Sequence, residues 1–248
     1  MKPYDLTGKR ILVTGASSGI GRACAICAAE LGARIVATGR RDDALRKTLS
    51  MCNGSGHQIV AGDLSSSDFV KILAETSGKL DGIVHAAGIG LMCPVGMLTE
   101  DHVDMVMRTN YYSFLELVKH YSKNKYRNAR LSIVAISSVS SSSGWGGVAV
   151  YSGSKGALSS SVRALAMELA SKGVRVNAVC PSNIRTPMYE AGALDMNDAD
   201  SLRELIKKQP LGLGEPEQVA WPVCFLLSDA ASFITGVNLP VDGGYLAQ

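Results

Sequence analysis

The sequence predicts one α/β domain, an open and doubly wound parallel sheet of seven strands with helices on both faces. Short apolar runs rich in Val and Ile alternate with longer stretches whose apolar residues recur every three or four positions. This alternation is typical of parallel strands joined by crossover helices. A glycine-rich turn stands between the first strand and the first helix. Small or polar residues follow the other strands, at the edge where ligands bind in such sheets.

Length and composition narrow the class of protein. At 248 residues and 46% hydrophobic content, residues 1–248 can bury one large core as a single domain. The formal net charge is +3 and Lys and Arg are scattered, which argues against a nucleic-acid partner. No apolar run reaches the ~20 residues of a membrane span, so we expect a cytoplasmic protein without a membrane partner. The six cysteines, including Cys24 and Cys27, are expected to be reduced structural thiols, and no metal site is predicted, because no second ligand pair accompanies them.

The first strand, residues 10–14, leads into the glycine-rich loop and a helix that extends to residue 31. Glycines at this place permit a tight turn, let backbone N–H groups approach a pyrophosphate, and let the helix pack closely on the sheet. The loop is therefore predicted to bind a dinucleotide. Its candidate contacts are Gly15, Ser17, Ser18, Gly19, Ile20 and Gly21.

The end of the second strand, residues 33–38, favours NADP(H) over NAD(H). An acidic residue at this position usually holds the free ribose 2′-hydroxyl of NAD(H), but the chain has Gly39, Arg40 and Arg41. No carboxylate would repel a 2′-phosphate, and guanidiniums bind phosphate well. The alternative is that both arginines are solvated and paired with Asp42 and Asp43 at the start of the next helix.

The third and fourth strands, residues 57–61 and 80–85, end in residues suited to the rest of a dinucleotide. Asp63, followed by Leu64, can accept from an adenine amino group or cap the helix that starts near residue 66. Small residues after the fourth strand permit close backbone approach to the second ribose. These are Ala86, Ala87 and Gly88. His85 is expected to be a buried structural residue bonded to the backbone.

Residues 131–138 form a predicted buried strand that delivers Ser138 to the carboxyl edge of the sheet. Tyr151 and Lys155 open a helical run at 156–170, and their spacing of four puts them on one face. Lowering a tyrosine pKa from ~10 to roughly 7.5 requires the phenolate to be stabilised by about 3.4 kcal/mol. An ammonium roughly 4.5 Å away stabilises the phenolate by about 3.7 kcal/mol at an effective dielectric of ~20, before desolvation is subtracted. Tyr151 is thus the candidate proton donor, and Ser138 the group that orients a carbonyl. Alternatively, Tyr151 and Lys155 form a surface pair and Ser138 belongs to a serine-rich loop at 138–143.

Asn110 lies early in a predicted helix at 109–123. Asparagine is disfavoured inside helices, so a hydrogen-bonding role would explain its presence there.

A sixth strand at 174–180 is stopped by Pro181, and the following backbone, with Ile184 and Thr186, is expected to meet the nicotinamide. Residues 187–212 have mixed polarity and no dependable period, which predicts a substrate lid. A helix at 215–227 and a seventh strand at 237–241 end the domain.

One joint pattern spans essentially the whole chain. Its members are Thr14-Gly15-x-x-x-Gly19-x-Gly21, Asp63, Ala86-Ala87-Gly88, Asn110, Ser138, Tyr151-x-x-x-Lys155, Asn177-x-x-x-Pro181 and Val241-Asp242-Gly243-Gly244. This pattern resembles the single-domain short-chain dehydrogenase/reductases, whose fold is of the Rossmann type. The resemblance implies hydride transfer between NADP(H) and a small-molecule carbonyl substrate.

The same resemblance implies a role for each catalytic residue. Tyr151 would be the acid/base, and Lys155 would bond the nicotinamide ribose and lower the pKa of Tyr151. Ser138 would hold the carbonyl, and Asn110 would support a proton-relay water. The resemblance also implies a homotetramer built on the helices at 110–123 and 152–171 and on the C-terminal segment.

Within the family, residues 209–217 and 225–244 are similar to the β-ketoacyl carrier-protein reductases, which suggests a 3-oxoacyl thioester. Val148 is apolar where those enzymes often have a polar group, and His85 stands where the family usually has Asn. Sugar, steroid and other alicyclic substrates therefore stay open, as does the direction of the reaction. The expected pocket walls are Met92, Val95, Trp145, Val148 and Tyr189. A non-catalytic NADP-binding regulator is the alternative from another functional class.

Overall fold

The computed structural model describes residues 4–195 and 207–247, with the side chains of 192–195 excepted. These residues form one parallel sheet of seven strands in the order β3-β2-β1-β4-β5-β6-β7. The strands are β1 (Arg10–Thr14), β2 (Arg34–Gly39), β3 (Gln58–Ala61), β4 (Leu80–His85), β5 (Arg127–Ile136), β6 (Val174–Pro181) and β7 (Asn238–Val241). The predicted fold class is confirmed.

Helices cover both faces of the sheet. They are α1 (Gly19–Glu30), α2 (Asp42–Ser50), α3 (Ser67–Thr76), α4 (Glu100–Met107), α5 (Ser113–Tyr121), α6 (Ala149–Leu169), α7 (Pro187–Asp195) and α8 (Pro216–Leu227). Successive side chains of β1 point to opposite faces: Ile11 and Val13 pack in the core under α1 and α8, and Leu12 packs in the core under α3, α5 and α6. This double burial explains why the strands are apolar runs and not alternating ones.

Several element boundaries differ from the expectations. The strand expected at 131–138 begins at Arg127 and ends at Ile136. Its first four residues are mostly polar and exposed, so the apolar pattern did not include them, although Arg127 pairs with Leu80 of β4. The helix expected at 109–123 is the second part of a longer helical segment that contains a π-helical turn at Arg108–Tyr112. Helix α6 begins at Ala149, so Tyr151 and Lys155 lie inside it and not before it.

The substrate lid remains a prediction. Its first residues form α7, and residues 207–212 lie beside the C-terminal strand, where the Leu211 N–H donates to Gly243 O. The middle of the expected lid, residues 196–206, lies outside the described residues.

Two observations concern membrane and metal chemistry. No helix in the described ranges is both long and apolar enough to cross a bilayer. Across the same ranges, no group of three or more His, Cys, Asp and Glu side chains is placed to hold a metal ion. All six cysteines are free thiols, and burial raises the pKa of Cys27 to about 12, so this thiol stays protonated at neutral pH.

Candidate active site

The candidate residues meet at the carboxyl edge of the sheet. Strand order reverses between β1 and β4, since the chain proceeds outward from β1 through β2 to β3 and then resumes at β4 on the other side. In open α/β sheets, ligands bind in the crevice at such a switch point. The glycine-rich loop after β1 and the Ala86 segment after β4 form the two sides of this crevice.

The glycine-rich loop is packed so tightly that its glycines cannot be replaced without movement. A Cβ on Gly15 would lie 2.9 Å from the Ala86 carbonyl, and one on Gly21 would lie 2.3 Å from the Gly15 carbonyl oxygen. Gly15 and Gly19 also have positive φ angles, of 63° and 52°, which glycine adopts at little cost. Helix α1 starts at Gly19, and the Ser18 side chain makes no capping hydrogen bond. The first N–H groups of α1 are therefore oriented for an anion at its N-terminus.

Thr14 joins the two sides of the crevice. Its buried hydroxyl oxygen accepts hydrogen bonds from the N–H groups of Ala86, at 3.1 Å, and Ala87, at 3.0 Å. Sequence reasoning missed this role. A threonine that ends an otherwise apolar buried strand was the available signal, because a buried hydroxyl needs a partner.

Ser138 and Tyr151 form the candidate reacting pair. Ser138 follows β5 by two residues and is buried, and its Oγ donates to Ser140 Oγ at 3.1 Å. Burial raises the pKa of Tyr151 above its ordinary value, and a hydrogen bond with Ser138 partly opposes that rise. Burial is the larger of these two effects on the Tyr151 pKa, and the lowering of that pKa by Lys155 stays a prediction.

Lys155 is almost fully buried beneath Tyr151. Its Nζ donates to Ile136 O at 2.8 Å and lies 5.8 Å from the centre of the Tyr151 ring. Burial lowers the pKa of Lys155 to about 8, with a small opposing effect from Cys180. The alternative of an exposed pair is wrong, because Lys155 is 4% exposed.

Asn110 connects three parts of the site. It lies in the π-helical turn, where its Oδ1 accepts from Ile89 N at 2.8 Å and its Nδ2 donates to Ile89 O at 3.0 Å and Ser154 Oγ at 3.0 Å. The expected hydrogen-bonding role is confirmed. A Cβ on Gly88 would lie 3.3 Å from Asn110 Oδ1 and 3.5 Å from Lys155 Nζ, so Gly88 provides the space in which these groups meet. Ser154 is a further residue that sequence reasoning missed.

His85 is buried just before Ala86, as expected, but its partner is a side chain and not the backbone. Its Nε2 lies 2.9 Å from Ser113 Oγ, which itself donates to Thr109 O at 2.6 Å. Nε2 must therefore carry the proton, and Nδ1 has no partner among the described residues. Burial, assisted by the charge of Lys155, lowers the pKa of His85 to about 3. This neutral histidine ties β4 to the turn that holds Asn110.

The residues expected at the adenosine end lie at the ends of β2 and β3. Arg40 and Arg41 are exposed, and no ion pair reaches either of them within residues 4–195 and 207–247. Asp42 pairs with Arg46 at 2.6 Å instead, so the alternative pairing of Arg40 and Arg41 with the two aspartates is not observed. Asp63 Oδ1 accepts from Ser65 N at 2.9 Å.

Helix α3 is capped by a residue other than the one considered from sequence. Ser66 Oγ accepts from Phe69 N, so Asp63 is not the cap. The Leu64 side chain is buried in the core, and Leu64 as a cofactor contact stays a prediction. Leu64 can therefore offer a ligand its backbone alone.

The segment after β6 is folded over the glycine-rich loop. A Cβ on Gly19 would lie 3.2 Å from Thr186 Cγ2, and Ile184 is buried and bridged to Gly214. The buried Gln209 holds this segment: its Oε1 accepts from Asn183 N at 2.9 Å, and its Nε2 donates to Asn183 O at 3.2 Å. Sequence reasoning gave Gln209 no role, since a glutamine among polar residues carries no local signal of burial.

Comparisons with known proteins agree with this geometry. A family model described as enoyl-(acyl carrier protein) reductase matches residues 15–246. L-xylulose reductase from Caenorhabditis elegans is 34% identical over 98% of this chain and 97% of its own length. The 3-oxoacyl-[acyl-carrier-protein] reductase FabG from Rickettsia felis is 35% identical over 98% of both chains. The chain belongs to the short-chain dehydrogenase/reductase family.

Solved structures of family members share the whole fold. One from Beutenbergia cavernae, described as a candidate NAD(P)-dependent gluconate 5-dehydrogenase with bound NADP at low occupancy, has a TM-score of 0.91 and 33% identity. The match covers 99% of this chain and 100% of that one. As a short-chain dehydrogenase/reductase, the protein is an oxidoreductase that acts on alcohol or ketone substrates, and its cofactor is an NAD(P) nucleotide.

The crevice fits such a nucleotide. The glycine-rich loop has the close backbone packing and the uncapped helix N-terminus that a pyrophosphate requires. Two further loops, after β4 and before α6, meet where Cys93 N donates to Gly147 O at 2.7 Å. Of the expected pocket walls, Val148 is buried and Met92 lies against Gly147, but Val95 is 81% exposed and contributes at most to the rim.

Proposed function

We propose that this short-chain dehydrogenase/reductase reduces a ketone to a secondary alcohol with NADPH. The observation that carries the proposal is the convergence of four side chains at one edge of the sheet, beside the glycine-rich loop. They are Asn110, Ser138, Tyr151 and Lys155. A protein that merely bound NADP(H) would have no use for a buried phenol and a buried ammonium held together.

The protein's own residues manage the proton of this reaction. The raised pKa keeps the Tyr151 phenol protonated, so it can give its proton to the oxygen of a carbonyl held by Ser138. The Lys155 ammonium stabilises the phenolate that remains, and with a pKa of about 8 it is also a nearby proton source. Asn110 holds the Ile89 loop directly and bonds to Ser154, the residue before Lys155 on α6. When bound, the nicotinamide supplies the hydride.

The basic end of β2 supports NADP(H) as the cofactor. Arg40 and Arg41 are exposed and have no acidic partner in the described structure, so their guanidiniums are free to bind a 2′-phosphate. Gly39 lies beside the glycine-rich loop, since its Cβ position is 3.8 Å from Ser17 Oγ. A 2′-phosphate bound by these arginines would therefore lie next to the loop that is proposed to bind the pyrophosphate.

Replacing Arg40 tests this cofactor assignment. We expect Arg40→Ala to weaken NADPH binding by roughly 10- to 150-fold, the equivalent of a charge-assisted hydrogen bond of about 1.5–3 kcal/mol, and to leave NADH binding nearly unchanged. The measurement is a fluorescence titration with each nucleotide. Lys71→Ala, which removes an exposed charge from α3, is the control. Equal losses for NADPH and NADH would contradict the assignment.

The pocket favours a partly apolar ketone such as a short 3-oxoacyl thioester. Met92 and Met188 lie close to Gly147 and Gly90, at the mouth of the crevice, and Val148 is buried beside it. A ketose is the second candidate, because relatives that are equally similar to this chain include an L-xylulose reductase. We further propose a homotetramer, as the family resemblance implies.

The deciding experiment measures NADPH oxidation with acetoacetyl-CoA and with L-xylulose in parallel. We expect turnover with one of them, and we expect Tyr151→Phe to reduce kcat by roughly 10²- to 10⁴-fold, the usual range for a lost general acid, while NADPH still binds. Tyr4→Phe removes a hydroxyl from an exposed tyrosine outside the site and is the matched control. Turnover that survives in Tyr151→Phe would overturn the proposed role. Absence of turnover with a broad set of ketones would favour the regulator.

A further inference from the structure

A cavity of about 780 Å³ lies at the edge of the sheet opposite the catalytic residues. Lys79 directly precedes β4, Arg127 begins β5, and Lys172 lies just before β6. The cavity is therefore at the amino ends of three neighbouring strands, a full strand length from Ser138. Its lining residues are Lys79, Ser122, Lys123, Asn124, Arg127, Asn128, Ala129, Ser171 and Lys172.

All the charged side chains that line the cavity are basic. It contains four cations and no Asp or Glu, although the whole chain has a formal net charge of just +3. No ion pair in the described part of the chain involves any of the four cations. The nearest carboxylate in sequence to Lys79 is Asp81, which accepts from Asn128 Nδ2 of the lining at 2.8 Å and from Arg10 N at 2.9 Å and forms no ion pair within the described residues. A concave surface lined by one sign of charge concentrates the field and attracts counter-ions.

Arg127 distinguishes this cavity from a loose group of surface lysines. It is 5% exposed, and neutral carbonyls hold it in place: Nε donates to Ser122 O at 3.4 Å, and Nη1 donates to Asn128 O at 3.0 Å and Ala129 O at 3.2 Å. Among the described residues, Nη2 makes no hydrogen bond, and it is not one of the enclosed unpartnered atoms. A fixed guanidinium with one free nitrogen thus forms part of the cavity wall without a carboxylate to neutralise it.

We propose that this cavity binds a compact, multiply charged phosphate anion, such as a di- or triphosphate group. The planar guanidinium fork matches phosphate oxygens, and flexible ammonium groups can close on them from several sides. The volume is in the range of small-molecule sites. A small anion can reach the recessed Arg127, whereas a folded acidic protein would meet the exposed lysines at the rim.

The test is calorimetric titration of the full chain with sodium tripolyphosphate in the presence of saturating NADP⁺, which excludes binding at the cofactor loop. We expect one binding event, weakened at least tenfold in the double variant Lys123→Gln/Lys172→Gln. Both lysines are exposed, so the fold should persist. The control, Lys47→Gln/Lys71→Gln, removes the same charge from exposed positions outside the cavity and should bind like the parent chain.

Three outcomes would overturn the proposal. One is equal weakening in both double variants, which would indicate attraction to net charge alone. Another is an absence of binding to the parent chain, and the third is binding of an acidic protein without affinity for tripolyphosphate. Arg127→Lys adds a finer test, because it keeps the charge and loses the fork: we expect severalfold weaker binding, measured well below the melting temperature of the variant, and unchanged affinity would remove Arg127 from the site.

Discussion

Lys155 is the residue whose burial most directly couples this enzyme to pH. Burial lowers the pKa of Lys155 from its ordinary 10.5 to about 8. The folded protein therefore releases this proton before the unfolded chain does, and the contribution of Lys155 to stability rises between about pH 8 and 10.5. A difference of that size corresponds to about 3 kcal/mol.

We predict that the parent protein gains about 3 kcal/mol of unfolding free energy relative to Lys155→Met between pH 8 and 10.5. Urea unfolding of both proteins across this range is the measurement. The comparison with Lys155→Met is needed because buried thiols change the stability with pH in the opposite direction. The pKa of Cys27 is raised to about 12, so the contribution of Cys27 to the unfolding free energy falls above pH 9. Cys27 is present in both proteins, and its effect cancels in the difference. A free-energy difference that stays constant with pH would show that Lys155 is not desolvated in solution.

The π-helical turn at Arg108–Tyr112 is the element that positions Asn110, one of the proposed catalytic residues. Helices seldom contain such turns, and those that do often have them at functional sites. Here the turn places Asn110 against Ile89 and Ser154, and Ser113, at the start of α5, fixes it to β4 through His85. The hydrogen bonds of two side chains thus connect the sheet, the turn and α6.

We predict that Ser113→Ala destabilises the protein by about 1–3 kcal/mol, because it leaves the buried His85 Nε2–H without an acceptor. The loss of this link should also lower kcat severalfold through displacement of Asn110, with little change in KM for NADPH. Thermal unfolding and steady-state kinetics are the measurements. Ser77→Ala, which removes the buried partner of the Tyr121 hydroxyl outside this turn, is the matched control. Equal effects of both substitutions on kcat would show that the turn has no special role.

The elements that could be located from the sequence are those that a few adjacent residues encode. The glycine-rich loop, the small residues after β4 and the basic end of β2 are recognisable because backbone geometry and charge are read from a few adjacent residues. The π-helical turn and the start of α6 at Ala149 were missed, since no local pattern encodes them. The same holds for the partner of His85 and the burial of Gln209, which depend on residues far away in sequence. The rise that burial causes in the Tyr151 pKa has the same origin, because burial is a tertiary property and a Coulomb estimate from sequence omits desolvation.

At the scale of the whole molecule, several exposed apolar side chains lie in the segments that the proposed tetramer would bury. Tyr112, Met167 and Phe233 are 45%, 81% and 103% exposed. Each lies in one of the three segments through which the family resemblance implies assembly, namely the helix at 110–123, the helix at 152–171 and the C-terminal segment. Large apolar groups that stay exposed in one chain are typical of protein interfaces.

We predict that the protein in solution has four times the 26.1 kDa mass of one chain, as measured by size-exclusion chromatography with light scattering. Met167→Glu should convert the tetramer to a smaller species, because burying an unpaired carboxylate in an interface costs more than the contact returns. Ile72→Glu is the matched control: Ile72 is 52% exposed on α3, outside all three segments, and its substitution should leave the mass unchanged. Because Met167 is far from Tyr151 along α6, the dissociated variant should retain NADPH binding, and this would separate assembly from the chemistry of the site. A monomeric mass for the parent protein would remove the tetramer and leave these side chains without that explanation.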